Sequence, residues 1–95
     1  MATQPPPGTL DEAVDRLLQV LPAEELNAIS ARPEEDVRHR HFSLGLGIRN
    51  NFGLWNRDSP LLRDCAARSE PGAVWIHPDE ASMMIMRALW VRLRQ

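Results

Sequence analysis

Three times in this chain a proline is closely followed by acids: Pro22-Ala-Glu24-Glu25, Pro33-Glu34-Glu35-Asp36 and Pro78-Asp79-Glu80. Proline lacks the N–H that the first helical turn leaves unpaired, and its fixed φ suits that position. Acids there are favoured by the helix macrodipole. Each cluster therefore predicts a helix start. Two further starts are written differently, as the capping box Thr9-Leu-Asp-Glu12 and as Ser59-Pro60. Starts this frequent allow only short helices. The chain is expected to be an all-α, compact single domain of four to five helices, with helices 3 and 5 central.

The apolar positions set the bounds. Leu10, Val14, Leu17, Leu18 and Leu21 recur at helical spacing, so a first helix covers about 10–21. A second covers 22–30 with Leu26 and Ile29 inward. A third begins near Pro33 and runs to Asn51 or Phe52, with Gly53 as the residue past its end. Its inward stripe is Val37, His41, Leu44, Ile48 and Phe52. A fourth covers 60–68 with Leu61, Leu62 and Cys65 inward. A fifth opens at Pro78 with Ala81, Met84, Ile85, Ala88, Leu89 and Val91 inward, leaving Met83, Met84 and Met86 to add an adaptable surface. Ala73-Val-Trp-Ile76 is β-prone without a second strand to pair with, and reads as an extended connector that buries Trp75 and Ile76. Residues 1–8, MATQPPPG, are expected to be a disordered proline-rich tail, and 9–95 the helical domain.

Charge is divided along the chain. Residues 1–36 hold eight acids against two arginines, net −6, while 37–95 hold nine arginines against five acids, net +4. The two halves are expected to attract each other within the fold. The overall net charge of −2 argues against nucleic-acid binding. No run is apolar enough for a membrane span, and MATQPPPG has no basic and apolar regions of a secretory signal. The single cysteine, Cys65, fits a reducing cytoplasm and reads as a small buried filler.

The most informative stretch is HFSLGLGIRNNFGLW, His41–Trp55. Gly45 and Gly47 each cost about 1 kcal/mol in a helix interior, which predicts a neighbouring backbone close to Gly45. Arg49 lies at the edge of the buried face and needs acceptors. Asp79, at the start of helix 5, is the expected partner. Asn50 or Asn51 can bind the free carbonyls at the helix end. The expected arrangement is a polar clasp between the end of helix 3 and the start of helix 5. The sharper alternative makes Arg49, Asn50, His77 and Asp79 a recognition or catalytic pocket.

Ile48-Arg49-Asn50 with Phe52-Gly53-Leu54-Trp55, followed by His77-Pro78-Asp79 with Ser82, resembles a family of small bacterial domains of unknown function. Its signature approximates IRNxxGLW followed by HPDDxS, and the likeness covers His41–Leu93. Glu80 stands where many members carry a second Asp. The resemblance implies a defined role for both motifs and brings no activity with it.

Tested as chemistry, the chain offers little. His39 and His41 lie about 200° apart on a helix and cannot share a metal, so no metal and no cofactor are expected. His77, Asp79 and Ser82 fit helix-start capping better than a nucleophile and its base. Trp55, Trp75 and Trp90 are too many for so small a core to swallow, so one or two should reach the surface as anchors. The expected function is non-catalytic: a cytoplasmic protein-binding module, such as a regulator, antitoxin, immunity protein or inhibitor of bacterial or phage origin. Its binding residues would be Arg49, Asn50, Trp55, His77, Asp79 and Trp90. The rival is a small-ligand binder or minor enzyme built on the Arg49, Asn50, His77 and Asp79 cluster. A homodimer through helix 5 is the third reading.

Overall fold

Thr9 caps the first helix as its position in the sequence predicts: its Oγ1 accepts from the Glu12 amide at 3.1 Å. Glu12 differs from the expected box, because its carboxylate accepts from the Thr9 hydroxyl at 3.3 Å. The computed structural model describes residues 5–33 and 42–95. Among these it forms five helices: α1 (Leu10–Val20), α2 (Ala23–Ser30), α3 (Phe42–Asn51), α4 (Pro60–Ser69) and α5 (Pro78–Leu93). No strand occurs among the described residues, and the domain is all-α. The early part of the expected third helix, with Val37, His39 and His41, lies outside them. So does Met1–Gln4 of the proline-rich stretch. From Pro5 on, that stretch lies against α1: the Pro5 carbonyl accepts from Arg16 at 2.8 Å, and Pro7 is buried.

α5 is the hub and packs against each of the other four helices. Ala81, Ser82, Ile85, Met86 and Leu89 are its buried positions. They meet Leu10, Ala13, Val14 and Leu17 of α1, Ile48 of α3, and Leu61, Leu62, Cys65 and Ala66 of α4 in one core. A helix with neighbours on several sides buries a wider arc than a surface helix. That is why Ser82 and Met86 go inward, where the sequence suggested Met84 and Val91. Met84 is half-buried and Val91 exposed, so of the three methionines only Met83 is a surface residue. Trp75 is likewise exposed rather than buried; Ile76 alone of the connector's end turns inward. No described helix is long and apolar enough to cross a membrane.

The two charged halves do meet. Arg92 lies 3.3 Å from Asp15, and Arg68 lies 3.4 Å from Asp11. Asp64 closes the same corner: its Oδ2 accepts from the Leu10 amide at 2.8 Å and from Arg68 Nε at 2.9 Å. A carboxylate from α4 thus caps the N-terminus of α1 across the core edge.

Cys65 is fully buried between these elements. Burial, then the nearby Asp64 charge, push its thiol up to about 11, with Arg68 opposing. Only the thiolate is nucleophilic, so native Cys65 is expected to resist a disulfide reagent such as DTNB at pH 8 and to react at once in denaturant. Rapid labelling of the native protein would contradict its burial.

Candidate functional site

Gly53 ends α3 as the sequence predicts. Its φ is 71°, and the Leu54 amide reaches back to the Arg49 carbonyl at 3.1 Å, a Schellman closure. This turn fixes Arg49 on the last helical turn and delivers Trp55 beside it. His77 starts α5: its Nδ1 accepts from the Asp79 amide at 3.0 Å, and Pro78 follows at the first helical position. α3 and α5 run antiparallel where they touch, with Gly45 facing Met86 and Ser82, and Arg49 facing Ser82 and Asp79. The two sequence motifs therefore form one seam.

Arg49 is the centre of that seam and only 8% exposed. Its Nη1 donates to Ser82 Oγ at 3.0 Å, and Ser82 in turn donates to the Asp79 carbonyl at 2.8 Å. Its Nε lies 3.3 Å from Asp79 Oδ1. That is ion-pair range, yet the N–H is out of line and Nε makes no hydrogen bond. The expected clasp between Arg49 and Asp79 is thus present, with Ser82 as its firmer half. Of the two asparagines offered for the helix end, Asn50 is engaged elsewhere. Its side-chain oxygen accepts from Trp55 Nε1 at 2.8 Å rather than binding helix-end groups, and so latches the tryptophan in place. The Trp55 ring stands 5.9 Å from the Arg49 guanidinium carbon.

Gly45 has a different purpose from the one anticipated. A Cβ there would meet Arg49 Nη1 at 3.4 Å, Met86 Sδ at 3.6 Å and Ser82 Oγ at 3.8 Å. The space is filled by side chains, not by a crossing backbone: Arg49 folds back over Gly45. These are ordinary contact distances, so Gly45→Ala should leave Tm unchanged or raise it, given alanine's gain of about 1 kcal/mol in helix propensity. Gly45→Leu must displace the guanidinium and should cost roughly 1–3 kcal/mol. Chemical denaturation of the two variants checks this; equal losses would mean that a backbone lies against Gly45 after all.

On the solvent side of Asp79, its Oδ2 is 3.8 Å from His77 Nδ1. That nitrogen's lone pair is already held by the backbone amide, so the ring proton sits on Nε2. The Trp75 ring meets His77 edge-on, with centroids 6.1 Å apart. The result is a continuous row, Trp55, Arg49, Asp79, His77, Trp75, across one side of the molecule. Its end residues are 56% and 47% exposed. Helical register adds Leu46, four residues before Asn50, and Met83, four after Asp79; both are exposed and flank the outer lip of the seam.

Trp90 does not join this row. It lies eleven residues beyond Asp79 on α5, about 16 Å along the helix at 1.5 Å per residue. Its Nε1 donates to the Arg32 carbonyl at 2.7 Å, and Arg94 stacks on its ring at 4.6 Å while bonding the Ser30 carbonyl. Trp90 thus ties the end of α5 to the end of α2. Among the described residues, no three His, Cys, Asp or Glu side chains are placed to hold a metal ion.

The model of a domain of unknown function, DUF6794, matches residues 6–93, a span that includes both motifs. No curated protein and no solved structure matches the chain. The chain belongs to the DUF6794 family.

Proposed function

We propose that this domain is a non-catalytic protein-binding module whose contact surface is the row from Trp55 to Trp75. It would act in the cytoplasm as a regulator, antitoxin, immunity protein or inhibitor of bacterial or phage origin. The observation that carries the reading is the pair of half-exposed tryptophans held by a preformed polar row. Trp55 is pinned by Asn50 and backed by Arg49, and Trp75 is set edge-on to His77. Tryptophan, arginine and methionine are enriched in protein interfaces, and a rigid aromatic loses little entropy on binding. Leu46 and Met83 add exposed apolar area on the helix faces that carry Asn50 and Asp79.

The polar groups of the row favour this reading over a catalytic one. The His77 Nδ1 lone pair is held by an amide, and the Ser82 hydroxyl is committed to a carbonyl. Neither is poised as base or nucleophile. The rival, a small-ligand binder on Arg49, Asn50, His77 and Asp79, would need Asn50 to release Trp55.

The test is affinity capture from lysate of the source organism or its host, read by mass spectrometry, with Trp55→Ala beside the wild type. Trp55 is exposed, so the variant should fold, and circular dichroism confirms that. A partner retained by the wild type should be lost from the variant, with affinity down about thirtyfold as for an interface hot spot. Equal capture by both proteins would refute the surface. Light scattering of the free protein reports whether the partner is a second copy.

A further inference from the structure

The connector before α5 is unusual in an all-α domain. A turn at Glu70-Pro71-Gly72-Ala73, closed by the Ala73 amide on the Glu70 carbonyl at 3.0 Å, leads into it. Gly72 sits at φ 89°, as the third position of a type II turn requires. Val74, Trp75 and Ile76 then lie outside any helix or strand, leading to His77 in an extended conformation, and none of their backbone groups makes a hydrogen bond with a described residue. Val74 is 74% exposed, the most exposed large apolar residue of the described chain. The residues are β-branched or aromatic, the types that suit a strand. Backbone groups left unpaired on a β-prone segment are open to pairing with another chain, as those of a sheet edge are.

A cavity of about 220 Å³ opens directly beside it, lined by Glu70, Ala73, Trp75, His77 and Glu80 among others. Its charge is one-sided. Glu70 and Glu80 are both exposed, and neither carboxylate makes a hydrogen bond or ion pair with a described residue. No arginine is among the described residues that line it. An aromatic face next to two unpaired carboxylates is the chemistry that recognises a guanidinium or ammonium group: the carboxylates supply charge, and the ring supplies stacking and cation–π attraction.

We propose that Ala73–Ile76 takes up an extended, basic segment of the partner protein by strand addition, with an arginine or lysine side chain entering the pocket formed by Trp75, Glu70 and Glu80. The proposal rests on the protein-binding reading above and names the partner's chemistry at the Trp75 end of the row. Main-chain pairing with Val74 and Ile76 supplies affinity, and the alternate side chain in the pocket supplies specificity. The free carboxylates also attract a basic chain from a distance, so association should weaken with added salt.

The probe is the peptide acetyl-Arg-Val-Arg-Val-Arg-Val-amide, titrated into the full chain and followed by amide and indole NMR shifts. Saturable shifts are expected at Val74, Ile76 and the Trp75 indole. The Glu70→Gln/Glu80→Gln double variant, altered only at exposed side chains, should weaken binding about tenfold. A peptide with Glu in place of Arg should not bind, and N-methylation of alternate peptide amides should abolish binding by removing the pairing donors. Binding of the acidic peptide, unchanged affinity of the double variant, or full affinity of the N-methylated peptide would each overturn the proposal, as would no shift at all. The two readings fail separately. A captured partner that is lost on Trp55→Ala but kept by Glu70→Gln/Glu80→Gln removes the basic-segment proposal and leaves the binding surface standing.

Discussion

Leu89→Ala should cost about 2–5 kcal/mol, the usual penalty for emptying a fully buried leucine site. Leu89 is 0% exposed and lies on a helix that contacts all four others described. The vacated space is bounded by several elements at once, and they cannot all collapse into it. A domain of this size has roughly 5–14 kcal/mol of stability in total. The loss is therefore a large fraction of the whole, and at about 4–8 °C per kcal/mol it lowers Tm by roughly 8–40 °C. Val91→Ala, two residues on but exposed, is the control and should stay within about 0.5 kcal/mol. Thermal unfolding followed by circular dichroism measures both. A Leu89→Ala loss below about 1 kcal/mol would mean that α5 is not the hub.

The starts of α1, α4 and α5 were legible because each is a local device. Thr9, Ser59 and His77 cap helices with their own side chains, within three residues of the groups they bind. The end of α3 was legible for the same reason, since Gly53 supplies a positive φ that the chain requires at one place. The Arg49–Asp79 pair was legible by a different route. A buried guanidinium needs an acceptor, and a carboxylate at the start of the neighbouring helix is the natural one.

What stayed hidden depends on how helices are set against one another. Nothing local says that Asp64 will cap a helix 54 residues earlier. Trp75 followed two buried-type rules, β-propensity and size, yet the turn at Gly72 throws it outward and leaves Ile76 to fill the core. On α5, periodicity assumes one buried face, whereas four neighbours widen the arc and draw in Ser82 and Met86. The sequence left the helix-end role open between Asn50 and Asn51, and it could not show that the Schellman turn brings the Trp55 indole back to donate to the Asn50 amide oxygen. The signal that was available and unused is the i, i+4 step from Gly45 to Arg49, which marks a long side chain lying over an empty position.

The clasp should respond unequally to removal of its two members. Asp79→Ala is expected to cost about 2–3 kcal/mol and Arg49→Ala about 1–2 kcal/mol, although the arginine makes the larger number of contacts. Asp79 has a 59% exposed side chain, so when Arg49 is removed its carboxylate returns to water at little penalty. Ser82 keeps its bond to the Asp79 carbonyl, and the loss is mainly packing over Gly45 and against Met86. The reverse deletion strands a cation. Arg49 remains in its seat, 8% exposed, with Nε already lacking a hydrogen bond and its ion-pair partner among the described residues gone. α5 also loses an acid from its first turn, worth a further 0.3–1 kcal/mol or so. Removing both members relieves the stranded charge, so the double variant should cost less than the sum of the singles by about 1 kcal/mol or more. Urea unfolding of the four proteins closes the cycle. Additive losses would mean that Arg49 is held by Ser82 alone, and a larger loss for Arg49→Ala would make the seam a packing contact that happens to carry charge. Either result would still leave Trp55 latched by Asn50, so capture by the Trp55→Ala variant tests the binding surface independently of the clasp's energetics.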